Sequence, residues 1–209
     1  MGRPRSFPVF LAAFVGPLVL FGVLAIQISG GGVPGWDETL MRFLHGLGEP
    51  PVPTGTQRMV DNSTLGGVVL VSGLVLALLV LRRLRDALFL TAAVLGIALL
   101  EPLLKSAFER PPPGDAQGFS FPSGSAMASM AIVVALSFIA WPTRVRWLVA
   151  LGGAGFALAF GAAIVDLRWH YPSDVLAGWC IALAWVSGIW LVTRARARKP
   201  RSSSDSVPA

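Results

Sequence analysis

The sequence predicts an all-α, polytopic membrane protein: six transmembrane helices in one bundle, with both termini cytoplasmic. Three observations carry this expectation. Of the 209 residues, 54% are hydrophobic and only 13% charged, against about 25% charged in soluble domains, and the mean hydropathy is +0.68. Apolar stretches long enough to span a bilayer, roughly 17–25 residues each, recur six times along the chain. The basic residues gather in alternate connections between those stretches.

The first run, 8–29, follows Arg3 and Arg5. It is too long for the apolar part of a cleaved signal and lacks a clear small-x-small site, so it reads as a span. Cleavage there would leave the downstream topology unchanged. The connection 30–62 is the longest and is rich in Gly and Pro. Within it, Trp36-Asp37-Glu38-Thr39-Leu40-Met41-Arg42-Phe43-Leu44 reads as a short amphipathic helix at the outer interface. The second and third spans, 65–81 and 87–104, enclose Arg82, Arg83 and Arg85. The third ends at Lys105, and Arg110 then precedes the rigid run Pro111-Pro112-Pro113. The fourth span, 123–141, is followed by Arg144 and Arg146, the fifth occupies 147–165, and the sixth 174–193. Residues 194–209 form a basic tail, a stop-transfer anchor with a disordered cytoplasmic end. The chain thus divides into a membrane domain, 1–193, and a tail, 194–209.

Threading six spans puts twelve of the 17 Lys and Arg residues on one side. The other side keeps Arg42, Arg58, Lys105, Arg110 and Arg168. The positive-inside rule assigns the richer side to the cytoplasm. A pI near 11.0 would otherwise suggest nucleic acid, but these residues flank apolar runs, so no nucleic-acid partner is expected. Cys180 is the single cysteine, which excludes a disulfide or cysteine-metal framework. No metal or cofactor is expected. Of the acidic side chains only Glu101 lies well inside a span, and it stands four residues before Lys105, a pairing distance that argues against a transport path.

This topology gathers three distant segments on the outer face. Lys105 and Arg110 close the third span, and both can neutralise a phosphate, arginine by a two-toothed fork and lysine as a point charge. Lys105 can equally be a snorkelling helix-end residue, and Arg110 an ordinary loop charge. Pro122-Ser123-Gly124-Ser125 opens the fourth span. Its glycine lets backbone N–H groups approach an anion at the positive end of the helix, although a Ser-Gly pair alone is also an ordinary N-cap. His170 and Asp174 start the sixth span four residues apart. A carboxylate holding one ring nitrogen leaves the other free to attack. His45, in the amphipathic segment, reads as structural.

These segments resemble the type 2 phosphatidic acid phosphatase superfamily of integral membrane enzymes, whose signature is K-x6-R-P, then P-S-G-H, then S-R-x5-H-x3-D. The likeness runs over about 65–190. It is most specific at Ser120-Phe121-Pro122-Ser123-Gly124 and at His170-Tyr171-Pro172-Ser173-Asp174-Val175-Leu176-Ala177-Gly178. The resemblance implies that His170 is a nucleophile forming a phosphohistidine and that Asp174 orients it. It further implies that Lys105, Ser123 and Gly124 bind phosphate, without a metal. Arg110, Ser125 and Arg168 complete the expected phosphate-binding set. The implied partners are membrane lipids and a lipid phosphate or pyrophosphate substrate, at the extracytoplasmic face of the cell membrane. The oligomeric state stays open.

Three positions depart from the signature. Pro112 stands at the motif's first arginine, Ser125 at the general-acid histidine, and Ala163-Ile164 at the S-R pair. Arg110 lies two residues before the first arginine position and Arg168 two residues before His170, and both can restore charge. Neither can supply a proton, because guanidinium stays protonated. Asp166 or Glu109 are the candidate donors. A positioned general acid is worth roughly 10²–10⁴-fold, so two readings follow: a phosphatase, or a catalytically impaired homologue that binds a lipid phosphate or serves as a membrane partner subunit.

Overall fold

The computed structural model describes residues 7–29, 32–47, 58, 62–114 and 117–196. Among them are seven helices and no strand: α1 (Phe7–Ile28), α2 (Gly35–Leu47), α3 (Ser63–Val80), α4 (Leu84–Phe108), α5 (Gly124–Ala140), α6 (Arg146–Asp166) and α7 (Pro172–Arg196). Five of these, α1, α3, α4, α6 and α7, are long and apolar enough to cross a membrane. The fourth expected span is the apolar α5, which at 17 residues is shorter. The helix α4 runs past the expected 87–104 at both ends and takes Lys105 into its last turn. It continues through Pro102. The helix α7 continues to Arg196, so the first residues assigned to the tail are helical. Arg3, Arg5 and the tail beyond Arg196 lie outside the described residues.

The helix α7 is the hub, packing against α1, α2, α4, α5 and α6. Within its span 44% of residues are buried, against 6% for the peripheral α3. Small side chains permit this closeness: Ala131 and Ala135 on α5 and Ala182 on α7 meet Leu90, Ala93 and Ile97 of α4 in the main core. Gly96 makes room for Trp185, whose indole would lie 2.1 Å from a Cβ there. The Trp185 indole donates to the Ala92 carbonyl at 3.2 Å. Apolar residues such as Val69, Leu148, Leu151 and Leu158 face outward and are exposed among the described residues. A helix apolar on its outer side is matched to lipid rather than water.

Three helices end in a non-glycine residue of positive φ: Arg82 after α3, Glu109 after α4 and Arg168 after α6. A left-handed residue stops a helix by turning the chain away from its axis. These stops, with the Ser123 N-cap, bring the end of α4, the start of α5, the end of α6 and the start of α7 to one end of the bundle. There α2 lies across α6 and α7, its Met41 and Leu44 packed on Phe160 and Ile164.

Candidate active site

Ser123 caps α5 from extended backbone (φ −68°, ψ 115°), and its Oγ accepts the Ala126 N–H at 3.4 Å. Its own N–H donates to the Asp174 carbonyl at 3.0 Å, which ties α5 to α7. That tie needs Gly178, where a Cβ would fall 2.7 Å from the Ser123 carbonyl oxygen. Phe121 is fully buried between Phe21 and Phe108, so the segment leading into the cap is anchored under α1 and α4. The Ser125 Oγ lies 3.3 Å from the Ser123 Oγ.

The start of α5 is already faced by an anion of the chain itself. A Cβ on Gly124 would lie 1.9 Å from Glu101 Oε1, so the Glu101 carboxylate rests directly on this glycine. Such a placement is favourable, since the helix N-terminus carries partial positive charge. The same carboxylate holds Lys105 Nζ at 2.9 Å, as the four-residue spacing suggested.

Arg110 has partners that the sequence did not reveal. It is 3% exposed. Its Nη1 donates to Asp174 Oδ1 at 2.6 Å and to Ser173 Oγ at 2.7 Å, and its Nη2 donates to Asp37 Oδ2 at 3.0 Å. Asp37, fully buried on α2, also accepts from the Ser173 N–H at 2.7 Å and from the Ser173 hydroxyl. The Tyr171 ring stacks on the guanidinium at 4.1 Å. A charge enclosed by two carboxylates and an aromatic face is a structural tie between α2, α4 and α7. Arg110 is therefore engaged with protein, rather than presented to a phosphate. Burial pushes the Tyr171 phenol above its ordinary value, with the Arg110 charge acting in the opposite direction.

The partner of His170 also differs from expectation. Its Nδ1 lies 2.9 Å from the Ser120 carbonyl oxygen and 3.7 Å from Asp174 Oδ2. Asp174 spends its carboxylate on Arg110 and on the Tyr171 N–H at 2.9 Å. A carbonyl only accepts, so in the neutral ring the proton sits on Nδ1 and the lone pair on Nε2. Ser120 is in turn fixed to Arg110: its N–H donates to the Arg110 carbonyl at 2.8 Å. Asp174 thus acts on the imidazole at a distance, as a nearby charge.

Arg110, Ser123, His170 and Asp174 are thus joined by direct hydrogen bonds or through Ser120, while Gly124 and Lys105 are joined through Glu101. Arg168 stands apart from this network. It is exposed and lines a cleft of about 380 Å³ with Glu38, Met41, Arg42, His45, Gly46, Pro113 and Tyr171. At the back of its turn, a Cβ on Gly114 would lie 3.1 Å from the Arg168 carbonyl oxygen. Asp166 pairs with His45 at 3.3 Å. Ile164, where the signature has arginine, is fully buried among Ala126, Phe160, Val165 and Val175. Sequence reasoning gave Asp37, Ser120 and Ser173 no role. The available signal was Asp37 at the i position of a face completed by Met41 and Leu44, an acid on an otherwise apolar stripe.

No curated protein matches the chain by sequence. In fold it is similar to the crystal structure of the first transmembrane PAP2-type phosphatidylglycerolphosphate phosphatase from Bacillus subtilis, with a TM-score of 0.73 at 22% identity over 91% of this chain and 100% of that one. The family model described as PAP2 superfamily matches residues 86–198, from the first turn of α4 to the end of α7. That match takes in the residues from Lys105 to Asp174 that converge at one end of the bundle, and the chain belongs to the PAP2 superfamily.

Proposed function

We propose that this protein is a metal-independent integral membrane phosphatase that hydrolyses a lipid phosphate or pyrophosphate through a phosphohistidine at His170. The observation that carries the reading is the His170 ring, held through Nδ1 by the Ser120 carbonyl beside the start of α5, with Nε2 left as the nucleophilic nitrogen. Nε2 attacks phosphorus while the bond to the leaving oxygen breaks, and the phosphoryl group rests on the ring. The cationic phosphoimidazole is steadied by the Ser120 oxygen and by the Asp174 carboxylate at 3.7 Å. Water then attacks phosphorus, the P–N bond breaks, and inorganic phosphate leaves.

The leaving oxygen needs a proton unless it is itself a phosphate. The Ser125 hydroxyl, half-buried beside the enclosed Ser123 hydroxyl, is a poor acid of its own. Leaving groups that need no proton, as in pyrophosphates, are therefore favoured. An incoming phosphate also competes with Glu101 for Lys105 and for the α5 N-terminus. In this reading α5, about 26 Å long at 1.5 Å per residue, serves as the fourth of six spans, and both termini are cytoplasmic. The site opens to the extracytoplasmic side of the cell membrane.

A second reading is favoured by other observations: Arg110 is enclosed by Asp37 and Asp174, Lys105 is bound by Glu101, and Ile164 is sealed in an apolar cluster. It describes a catalytically impaired homologue that binds a lipid phosphate or acts as a membrane partner subunit. Phosphate release by purified protein from a panel of lipid phosphates and pyrophosphates, with His170→Ala as control, separates the two. Release that disappears with His170→Ala supports the enzyme. Binding of the same lipids without release by the unaltered chain supports the second reading.

A further inference from the structure

Asp37 belongs to none of the three signature segments, yet it is fully buried and connects to His170 by two routes. The first runs through hydrogen bonds. Asp37 Oδ2 accepts from Arg110 Nη2 at 3.0 Å. The Arg110 carbonyl accepts the Ser120 N–H at 2.8 Å, and the Ser120 hydroxyl reaches that carbonyl at 3.3 Å and the Pro111 carbonyl at 3.1 Å. The Ser120 carbonyl in turn holds His170 Nδ1 at 2.9 Å. A ring is only as fixed as the carbonyl that holds it. Among the described residues the buried Arg110 Nε has no hydrogen-bond partner. The two Nη groups therefore carry the grip on this side chain, and Asp37 is the partner of Nη2.

The second route is charge. Asp174 lies 3.7 Å from the ring, but Arg110 sits 2.6 Å from the same carboxylate. One guanidinium against one carboxylate leaves little field at the imidazole. Asp37 changes the sum to one cation against two anions, all three enclosed. With water excluded, the surplus negative charge is weakly screened. The imidazole turns cationic as Nε2 takes the phosphoryl group, so a net negative neighbourhood favours the product of attack over the neutral ring. The remaining charges near the site differ in kind. Lys105 is paired with Glu101, and Glu38 and Arg168 line the open cleft with Tyr171, where solvent screens them. Burial favours the uncharged form of the Tyr171 phenol.

We infer that Asp37 is a positioning residue for the His170 nucleophile. It fixes the Arg110–Ser120 relay that sets the ring tautomer, and it keeps the enclosed charge beside the ring net negative. The inference rests on the proposed phosphatase site and adds to it a residue from α2, which the signature segments do not include. Asp37 itself touches neither substrate nor phosphorus.

The test reads the ring as well as turnover. The chain has two histidines, so nitrogen-15 labelling of histidine in the full-length protein in detergent gives two imidazoles, which His170→Ala assigns. In the unaltered chain His170 is expected to carry its proton on Nδ1, and a proton on Nε2 overturns the relay. Asp37→Asn removes the charge and keeps the shape. The Nδ1–H form should then lose its dominance. With the most readily hydrolysed member of the lipid phosphate and pyrophosphate panel, kcat should fall about tenfold, less than for loss of a direct transition-state donor. KM should stay within about threefold, because the substrate loses no contact. The acid limb of the pH–rate profile should move to lower pH, since with one anion fewer the neutral ring persists further into acid. Asp37→Glu, which keeps the charge, should return the limb to its place. Should Asp37→Asn not fold, Asp37→Ser carries the same readings. Met41→Ala loosens α2 at its apolar contact on α6; it should lower the thermal midpoint but leave tautomer and acid limb unmoved. A tautomer and limb unchanged in Asp37→Asn, or changed equally in Met41→Ala, overturn the inference and leave the phosphatase site standing, with Asp37 a tie for α2. If the unaltered chain releases phosphate from no member of the panel, the phosphatase reading falls, and this inference with it.

Discussion

Position 125 limits the proposed chemistry most directly. Ser125→His would put an acid on the first turn of α5, one residue from Gly124. Turnover is expected to rise about tenfold or more, the low part of the range for a positioned acid, because the neighbouring arginines are altered too. The gain should be largest for monoesters, whose alkoxide needs a proton, and smallest for pyrophosphates; an unchanged rate would identify another donor. His170→Ala should abolish activity in either background. Glu101→Gln removes the carboxylate that lies on Gly124 and holds Lys105. Inorganic phosphate or vanadate should then bind several-fold tighter, read by calorimetry, and weaker binding would show that Glu101 aids the ligand. Tyr171 is the single tyrosine, so phenolate absorbance near 295 nm follows it alone. Its midpoint should lie above the ordinary value of 10.0. The fold favours the neutral phenol, so its contribution to stability is complete below pH 10.0 and is lost as pH rises through the shifted value. Arg110→Met should move the midpoint further up, since the guanidinium opposes the shift.

Elements are held at the site by charge where the bundle elsewhere relies on close apolar packing. The helix α2 is attached chiefly by Asp37, through Arg110 and Ser173, and by the Met41 and Leu44 contacts on α6. Removing one member of a buried ion pair costs about 3–5 kcal/mol, because the other is left unpaired. Asp37→Ala should lower the thermal midpoint accordingly, and Arg110→Ala should do the same. In a double-mutant cycle the two losses should fall well short of additive; simple additivity would show that the residues act separately. At the opposite contact, Gly178→Ala brings a Cβ within 2.7 Å of the Ser123 carbonyl. Backbone cannot yield as a flexible side chain does, so α5 and α7 should be pushed apart at the cap. The expected cost is about 1–3 kcal/mol.

For the molecule as a whole, the orientation proposed from basic residues has a direct test. A cysteine introduced near Gly114 should react with an impermeant reagent from outside intact cells. One near Arg83 should react only after permeabilisation. Labelling of both from the same side would sink the six-span arrangement. The same experiment bears on α5, whose 17 residues make it shorter than the other spanning helices.

Hydropathy and the alternation of basic loops reveal the fold class because they depend on composition over whole segments, which a single chain displays openly. Helix positions followed within a few residues, and the meeting of Ser123, His170 and Asp174 at one bundle end follows from counting spans. The partners of those residues did not follow. Asp174 lay four residues from His170 and so looked like its hydrogen-bond partner. In the fold Arg110 and the Tyr171 N–H claim its carboxylate, and the Ser120 carbonyl takes the ring. Asp37 looked like the polar side of an interfacial helix, because amphipathicity alone does not say which stripe turns inward. Glu101 and Lys105 were legible as a pair, since both sit on one helix, but not as occupants of the α5 N-terminus, which another helix supplies. Local spacing determines which residues can meet along one helix; competition for a buried charge is settled only when distant helices close around it.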